Sequence, residues 1–241
     1  LMLSDEIDLT GYSLIVLPQC EYLSPKVTEK LKIFVRDGGT LLAISRLNLV
    51  EESGIYRKVP YPFNMTDLFG MEIKENSMFR KVQPNPLEVF DIDRAPSDSA
   101  VVECLGEKIQ IDNFVEHIFP NECVVLETLS STCYFGSPLI TRHNFGSGTA
   151  YYVSAQPDQT GIYTILRRVL TESGVGIKHE LPLQVSRGER GSYVIFVNSS
   201  GGEIEIPAEK GKLLLGTPVY SENTMKLAPC DVVVIKRDDI R

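Results

Sequence analysis

Two apolar runs separated by one helix length do most to limit what this chain can fold into. Tyr12 to Leu17 (Y-S-L-I-V-L) ends at Pro18, and Thr40 to Ile44 (T-L-L-A-I) follows later. Apolar runs without polar alternation predict strands covered on both faces, as in a parallel sheet. Between them, Ser24 suits a helix N-cap and Pro25 a first turn. Val27, Leu31, Phe34 and Val35 then fall on one helical face, and Gly38-Gly39 supplies the left-handed exit. Strand, helix and strand with short links form a βαβ unit, whose crossover is expected to be right-handed.

The rest of the first part mixes signals. Asn64 to Phe69 reads as a short helix closed by Gly70. Ala100 to Leu105, Lys108 to Ile111, Val124 to Leu129, Leu139 to Asn144 and Thr149 to Ser154 read as strands, with a turn at Gly146-Ser147-Gly148. Pro84, Pro86 and Pro96 interrupt the middle. A second helix is expected from about Gly161 to Glu172. Ile162, Ile165, Leu166, Val169 and Leu170 form its stripe, and Gly174 ends it. From Leu181 the period changes. Ser192 to Asn198, Glu203 to Ile206, Lys212 to Leu215 and Asp231 to Lys236 are short strands split by Gly- and Pro-containing turns. The expected architecture is an α/β domain over residues 1–180, with a parallel sheet and flanking helices. A small all-β sandwich over residues 181–241 would follow it.

Charge supports that division. The net charge is −8. Residues 181–241 hold eight basic and eight acidic side chains, so the whole excess lies before them. An acidic chain without a basic cluster repels phosphate backbones, so no nucleic-acid partner is expected. No apolar run approaches the ~18 residues that span a bilayer, so no membrane partner is expected either. The start, Leu1 to Glu6, lacks the basic end and apolar core of a signal peptide. Cys20, Cys104, Cys123, Cys133 and Cys230 are odd in number and widely spaced. They suit reduced thiols in the cytoplasm better than disulfides or a zinc site.

Motifs for chemistry are missing where they would be expected. No glycine cluster completes a phosphate-binding fingerprint, so no cofactor is expected. Ser147 has glycine on both sides but precedes a strand, unlike a hydrolase nucleophile. His117, His143 and His179 form no metal-binding pair. Glu51, Glu52, Glu72, Glu75, Asp91 and Asp93 sit in solvated-looking stretches, and nothing marks two of them as a glycosidase pair. No catalytic, cofactor-binding or metal-binding residue is therefore assigned.

Several segments, in order, resemble one family. They are Gly11 to Pro18, Leu23-Ser24, Phe34 to Leu42, and Asp67 to Glu72. Tyr134 to Leu139, Asn144 to Val153, and Glu172 to Val175 continue the match. Together they resemble the trimerisation domain of family 42 glycoside hydrolases, which are β-galactosidases. Leu181 to Arg187, Tyr193 to Asn198 and Leu227 to Val234 resemble that family's C-terminal β-domain. Residues 74–120 and Ser45 to Val59 match poorly.

The resemblance implies a non-catalytic, trimer-forming part of a longer enzyme that cleaves terminal β-D-galactosides. An N-terminal barrel, absent here, would carry both catalytic glutamates. Leu1-Met2-Leu3 resembles the end of a strand from such a longer chain. It further implies a flavodoxin-like scaffold related to class I glutamine amidotransferases. Those enzymes need a cysteine after the strand matching Thr40 to Ile44, and a histidine after the last strand. Ile44-Ser45-Arg46-Leu47-Asn48 and Ala155-Gln156-Pro157-Asp158 stand there instead, so the inherited site reads as dead. Two alternatives stay open: a divergent hydrolase using Cys20 or Ser45, and a sugar-binding module using Tyr193 or Tyr220.

Overall fold

A computed structural model of the chain describes residues 4–58, 60–78, 99–130, 135–176 and 181–237. Leu1 to Leu3, the prolines at 84, 86 and 96, Asp91, Asp93, Cys133, Tyr134 and His179 lie outside those residues. The chain divides into two compact units, Leu1–Gly176 and Ile177–Arg241.

The first unit opens with β1 (Leu14–Pro18), α1 (Pro25–Arg36) and β2 (Thr40–Ile44). Helix α1 starts where its cap dictates. The Ser24 side chain accepts a hydrogen bond from the Val27 amide, and Pro25 occupies the first turn. Strand β2 is buried at all five positions because both its faces are covered. Leu41 and Ala43 join a core with Val27, Leu31 and Val35 of α1. Leu42 and Ile44 join the opposite core.

A short helix α2 (Thr66–Phe69) follows and exits through Gly70 at φ 61°. Next come β3 (Met71–Met78), β4 (Ser99–Cys104), β5 (Glu107–Pro120), β6 (Val124–Thr128), β7 (Pro138–Phe145) and β8 (Gly148–Val153). β9 (Ala155–Pro157) and α3 (Gln159–Glu172) complete the unit. Helix α3 begins two residues earlier than its apolar stripe suggests, because Asp158 is its cap and accepts the Gly161 amide at 2.8 Å. Its Ile165 and Val169 pack in the same core as Leu42 and Ile44, so α1 and α3 lie on opposite faces of β2.

The main sheet has the order β1-β2-β8-β7-β6. The expected parallel sheet is only half right. β1, β2 and β8 run parallel, whereas β7 and β6 are antiparallel. The reason is local: Gly146-Ser147 joins β7 to β8, and a two-residue turn can connect only antiparallel neighbours. That turn also ends α1, since the Ser147 amide donates to Arg36 O at 2.9 Å. A Cβ on Gly148 would lie 2.1 Å from Val35 O and 2.3 Å from Gly39 O, so glycine permits the close approach. β1 also departs from expectation. It is an edge strand with alternating burial, and Val16 is 36% exposed.

Three more strands pair on β5 to make a second, antiparallel sheet with the order β3-β5-β4, and β9 on β5. The isolated strand pieces expected around 100–111 are parts of β4 and of the 14-residue β5. Among the described residues strand outweighs helix, 43% to 15%, so α/β character is confined to part of this unit.

The second unit is all strand among the described residues. It contains β10 (Val185–Arg190), β11 (Tyr193–Asn198), β12 (Ile204–Pro207), β13 (Lys212–Leu215), β14 (Val219–Tyr220), β15 (Thr224–Leu227) and β16 (Val232–Lys236). Two antiparallel sheets, β10-β11-β16-β13 and β12-β15-β14, enclose Val194, Phe196, Ile206, Met225, Leu227, Val233 and Ile235. Asn198 is the buried polar anchor: its side-chain Nδ2 donates to Gly202 O and Ala228 O, each at 2.8 Å.

Candidate functional site

In open α/β sheets, ligands and catalytic groups gather beyond the carboxyl ends of the parallel strands. Here that rim is formed by the segments after β1, β2 and β8. Four non-glycine residues on it have left-handed backbones: Gln19 (φ 48°), Ser45 (28°), Arg46 (52°) and Asn48 (51°). Such conformations cost of order 1 kcal/mol each and need surrounding structure to hold them.

Hydrogen bonds supply that hold. The Ser45 amide donates to Val153 O at 2.8 Å, and the Asn48 amide to Cys20 O at 2.8 Å. The Asn48 side chain accepts from the Leu23 amide at 3.1 Å and donates to Phe63 O at 2.7 Å. The Arg46 amide donates to Glu116 Oε1 at 2.9 Å, and its guanidinium pairs with Glu21. Tyr152 Oη donates to Glu116 Oε2 at 2.7 Å.

Glu116 is the unusual member. It lies on β5 with no exposed surface. Burial pushes its carboxyl up to about 7, against the smaller lowering effects of Tyr152, the Arg46 amide and the Arg46 charge. Tyr152 is itself held well above its ordinary value, first by burial and then by the Glu116 carboxylate. Ser45 Oγ is buried without a hydrogen-bond partner.

The two nucleophiles weighed from sequence, Ser45 and Cys20, are wholly or partly withdrawn from solvent here. The Ser45 side chain is fully buried, and burial raises the half-buried Cys20 thiol, which disfavours the reactive thiolate. A groove of about 890 Å³ lies at the other ends of the same strands, where Tyr12, Lys30, Phe34 and Gly39 line it. Groove and buried carboxylate are therefore separated by the length of the sheet.

The other residues weighed from sequence fall elsewhere. Ser147 is an exposed turn residue. His143 Nδ1 lies 3.0 Å from Leu68 O, and its Nε2 lies 3.7 Å from Glu122, while His117 is half-buried on β5. Glu51 and Glu52 are exposed, Glu72 pairs with Lys74 at 3.0 Å, and Glu75 is exposed. Cys104 is buried with its thiol pushed up to about 12, mainly by burial, and Cys230 is exposed. Tyr193 and Tyr220 are 43% and 45% exposed. Among the described residues, no three His, Cys, Asp or Glu side chains gather as a metal site. Among the same residues, no helix is long and apolar enough to cross a membrane.

A model of the beta-galactosidase trimerisation domain, part of glycoside hydrolase family 42, matches residues 2–176. The chain belongs to that family. Beta-galactosidase BglY of Alicyclobacillus acidocaldarius is 26% identical over 241 residues, covering 97% of this chain and 32% of that protein. Beta-galactosidase Pbg of Clostridium perfringens is 26% identical over 244 residues, covering 96% and 34%. The chain thus spans about a third of the length of the curated relatives it matches. A crystal structure of a beta-galactosidase from Rahnella sp. R3 superposes with a TM-score of 0.74 at 18% identity, covering 96% of this chain and 33% of that one. One from Bacillus circulans gives 0.72 at 20%, covering 97% and 34%. At such identities these two establish the fold alone. Within a trimerisation domain, the rim around Glu116 is a place where polar groups hold a strained turn, and it gives no route for a substrate to reach Ser45.

Proposed function

We propose that this chain is the non-catalytic, subunit-joining portion of a β-galactosidase-like glycoside hydrolase. Its copies assemble as trimers through residues 1–180, and residues 181–241 form an accessory β-domain. Cleavage of terminal β-D-galactosides belongs to an N-terminal barrel of the same parent. The observation that carries this reading is the trimerisation-domain match over residues 2–176. The buried Ser45 hydroxyl and the raised Cys20 thiol support it further, because the amidotransferase-like scaffold would then serve assembly alone. The unpaired thiols of Cys20, Cys104, Cys123 and Cys230 fit a reducing, cytoplasmic setting.

Sedimentation velocity at micromolar concentration tests the assembly, run on the chain alone and on the chain joined to its barrel. Trimers in either sample are the expected result, and monomers in both would defeat the proposal. A chromogenic β-galactoside should be cleaved by the joined protein and left intact by the chain alone.

A further inference from the structure

Three costs converge on the turn Ser45–Leu49, and one motion would relieve them all. Glu116 is buried with two neutral hydrogen-bond donors, the Arg46 amide and the Tyr152 hydroxyl. Ser45 Oγ is buried with no partner. Ser45, Arg46 and Asn48 hold left-handed backbones. Lifting the turn away from β5 would hydrate the carboxylate, give the hydroxyl a water partner, and let the backbone relax.

We propose that this turn is a proton-controlled lid: it stays closed while Glu116 is neutral and opens, admitting water to the rim of β1, β2 and β8, when Glu116 ionises. The sign follows from linkage. Inside the closed turn the carboxyl titrates at about 7, against 4.5 in water. The closed form therefore binds the proton more tightly than the hydrated form, and rising pH favours opening. Among the described residues, the charged and titratable groups around Glu116 are few. Tyr152 on β8 and the Arg46 guanidinium face it, and Glu21 engages that guanidinium from the β1 side. Asn76, its partner on β3, does not titrate. His117 is next on β5, and strand alternation turns its ring to the other side.

Amide hydrogen exchange by NMR, corrected for intrinsic chemistry, reads the lid directly. Between about pH 6 and pH 8, protection at Arg46 and Asn48 should fall roughly tenfold, and it should stay well below that of the Leu42 amide in β2, which reports global unfolding. In Glu116→Gln the Arg46 and Asn48 values should not change with pH. The carboxyl carbon of Glu116 in the unaltered protein should titrate between about pH 6 and pH 8. Tyr152→Phe, which removes a donor to the ionised form, should move that midpoint upward. Four results would overturn the proposal. They are pH-independent protection in the unaltered protein, a Glu116 midpoint below about 5, protection at Arg46 and Asn48 equal to that at Leu42, and a fall that persists in Glu116→Gln. The last would assign the effect to another group. If Glu116→Gln does not fold, the carboxyl titration and the Leu42 comparison decide.

Discussion

β2 and β5 are both central strands, yet they are stabilised in opposite ways. Every residue of β2 is buried, and its apolar side chains meet α1 on one face and α3 on the other. β5 is nearly three times as long, and its most buried stretch contains a carboxylate held by a backbone amide and a phenol. The first strand draws its stability from area removed from water, which depends little on pH. The second carries a group whose cost depends on its protonation state.

The comparison is sharpest where one side chain is removed. Leu42→Ala should cost about 2–5 kcal/mol in urea unfolding, because it leaves a cavity in a fully enclosed strand. A loss below about 1 kcal/mol would mean that β2 is less enclosed than described. Glu116 should act through pH instead. Its folded carboxyl titrates at about 7 rather than 4.5, so the folded chain holds the proton more tightly across that window. Stability should then fall by on the order of 2–4 kcal/mol as pH rises from about 4.5 to 7, and level off above. Glu116→Gln should remove that slope, and denaturation curves at several pH values would show whether it does.

Gly148→Ala comes next. Its added methyl group meets Val35 O and Gly39 O, so a loss of about 1–3 kcal/mol in thermal unfolding is expected. Val16→Thr is the smallest. On the exposed side of β1 it should shift stability by within about 0.5 kcal/mol, and a larger loss would reveal a partner covering that edge.

Where burial follows a period, residues could be assigned from sequence. Ser24, Pro25 and Gly38 fix the ends of α1 through short-range hydrogen bonds and dihedral preferences, and β2 is an uninterrupted apolar run. The direction of β7 was harder. Its antiparallel course depends on the length of the Gly146-Ser147 turn, and that turn is recognisable only once both flanking strands are known. The start of α3 was misplaced because Asp158 lies outside the apolar stripe that marked the helix.

Glu116 escaped notice altogether. The one available signal was a charge set between apolar residues in Val115-Glu116-His117-Ile118, a pattern that also suits a half-exposed strand. Its two donors are 70 and 36 residues away. By contrast, the absence of cysteine and glycine after β2 was visible in Ser45-Arg46-Leu47-Asn48. What the structure adds there is the strained backbone and the sealed hydroxyl.

The sequence by itself determined the βαβ start, the strand-rich tail, the likeness to a trimerisation domain and the placing of all the excess charge before residue 181. The likeness rests on the order of resembling segments; the others follow from periodicity, capping and composition, which act over a few residues or are summed over many. Only the tertiary structure decided that β1 is an edge, that the sheet turns antiparallel after β8, and that a carboxylate lies beneath a strained turn. Each of those depends on which distant residue displaces water from a given side chain, and no local pattern carries that information.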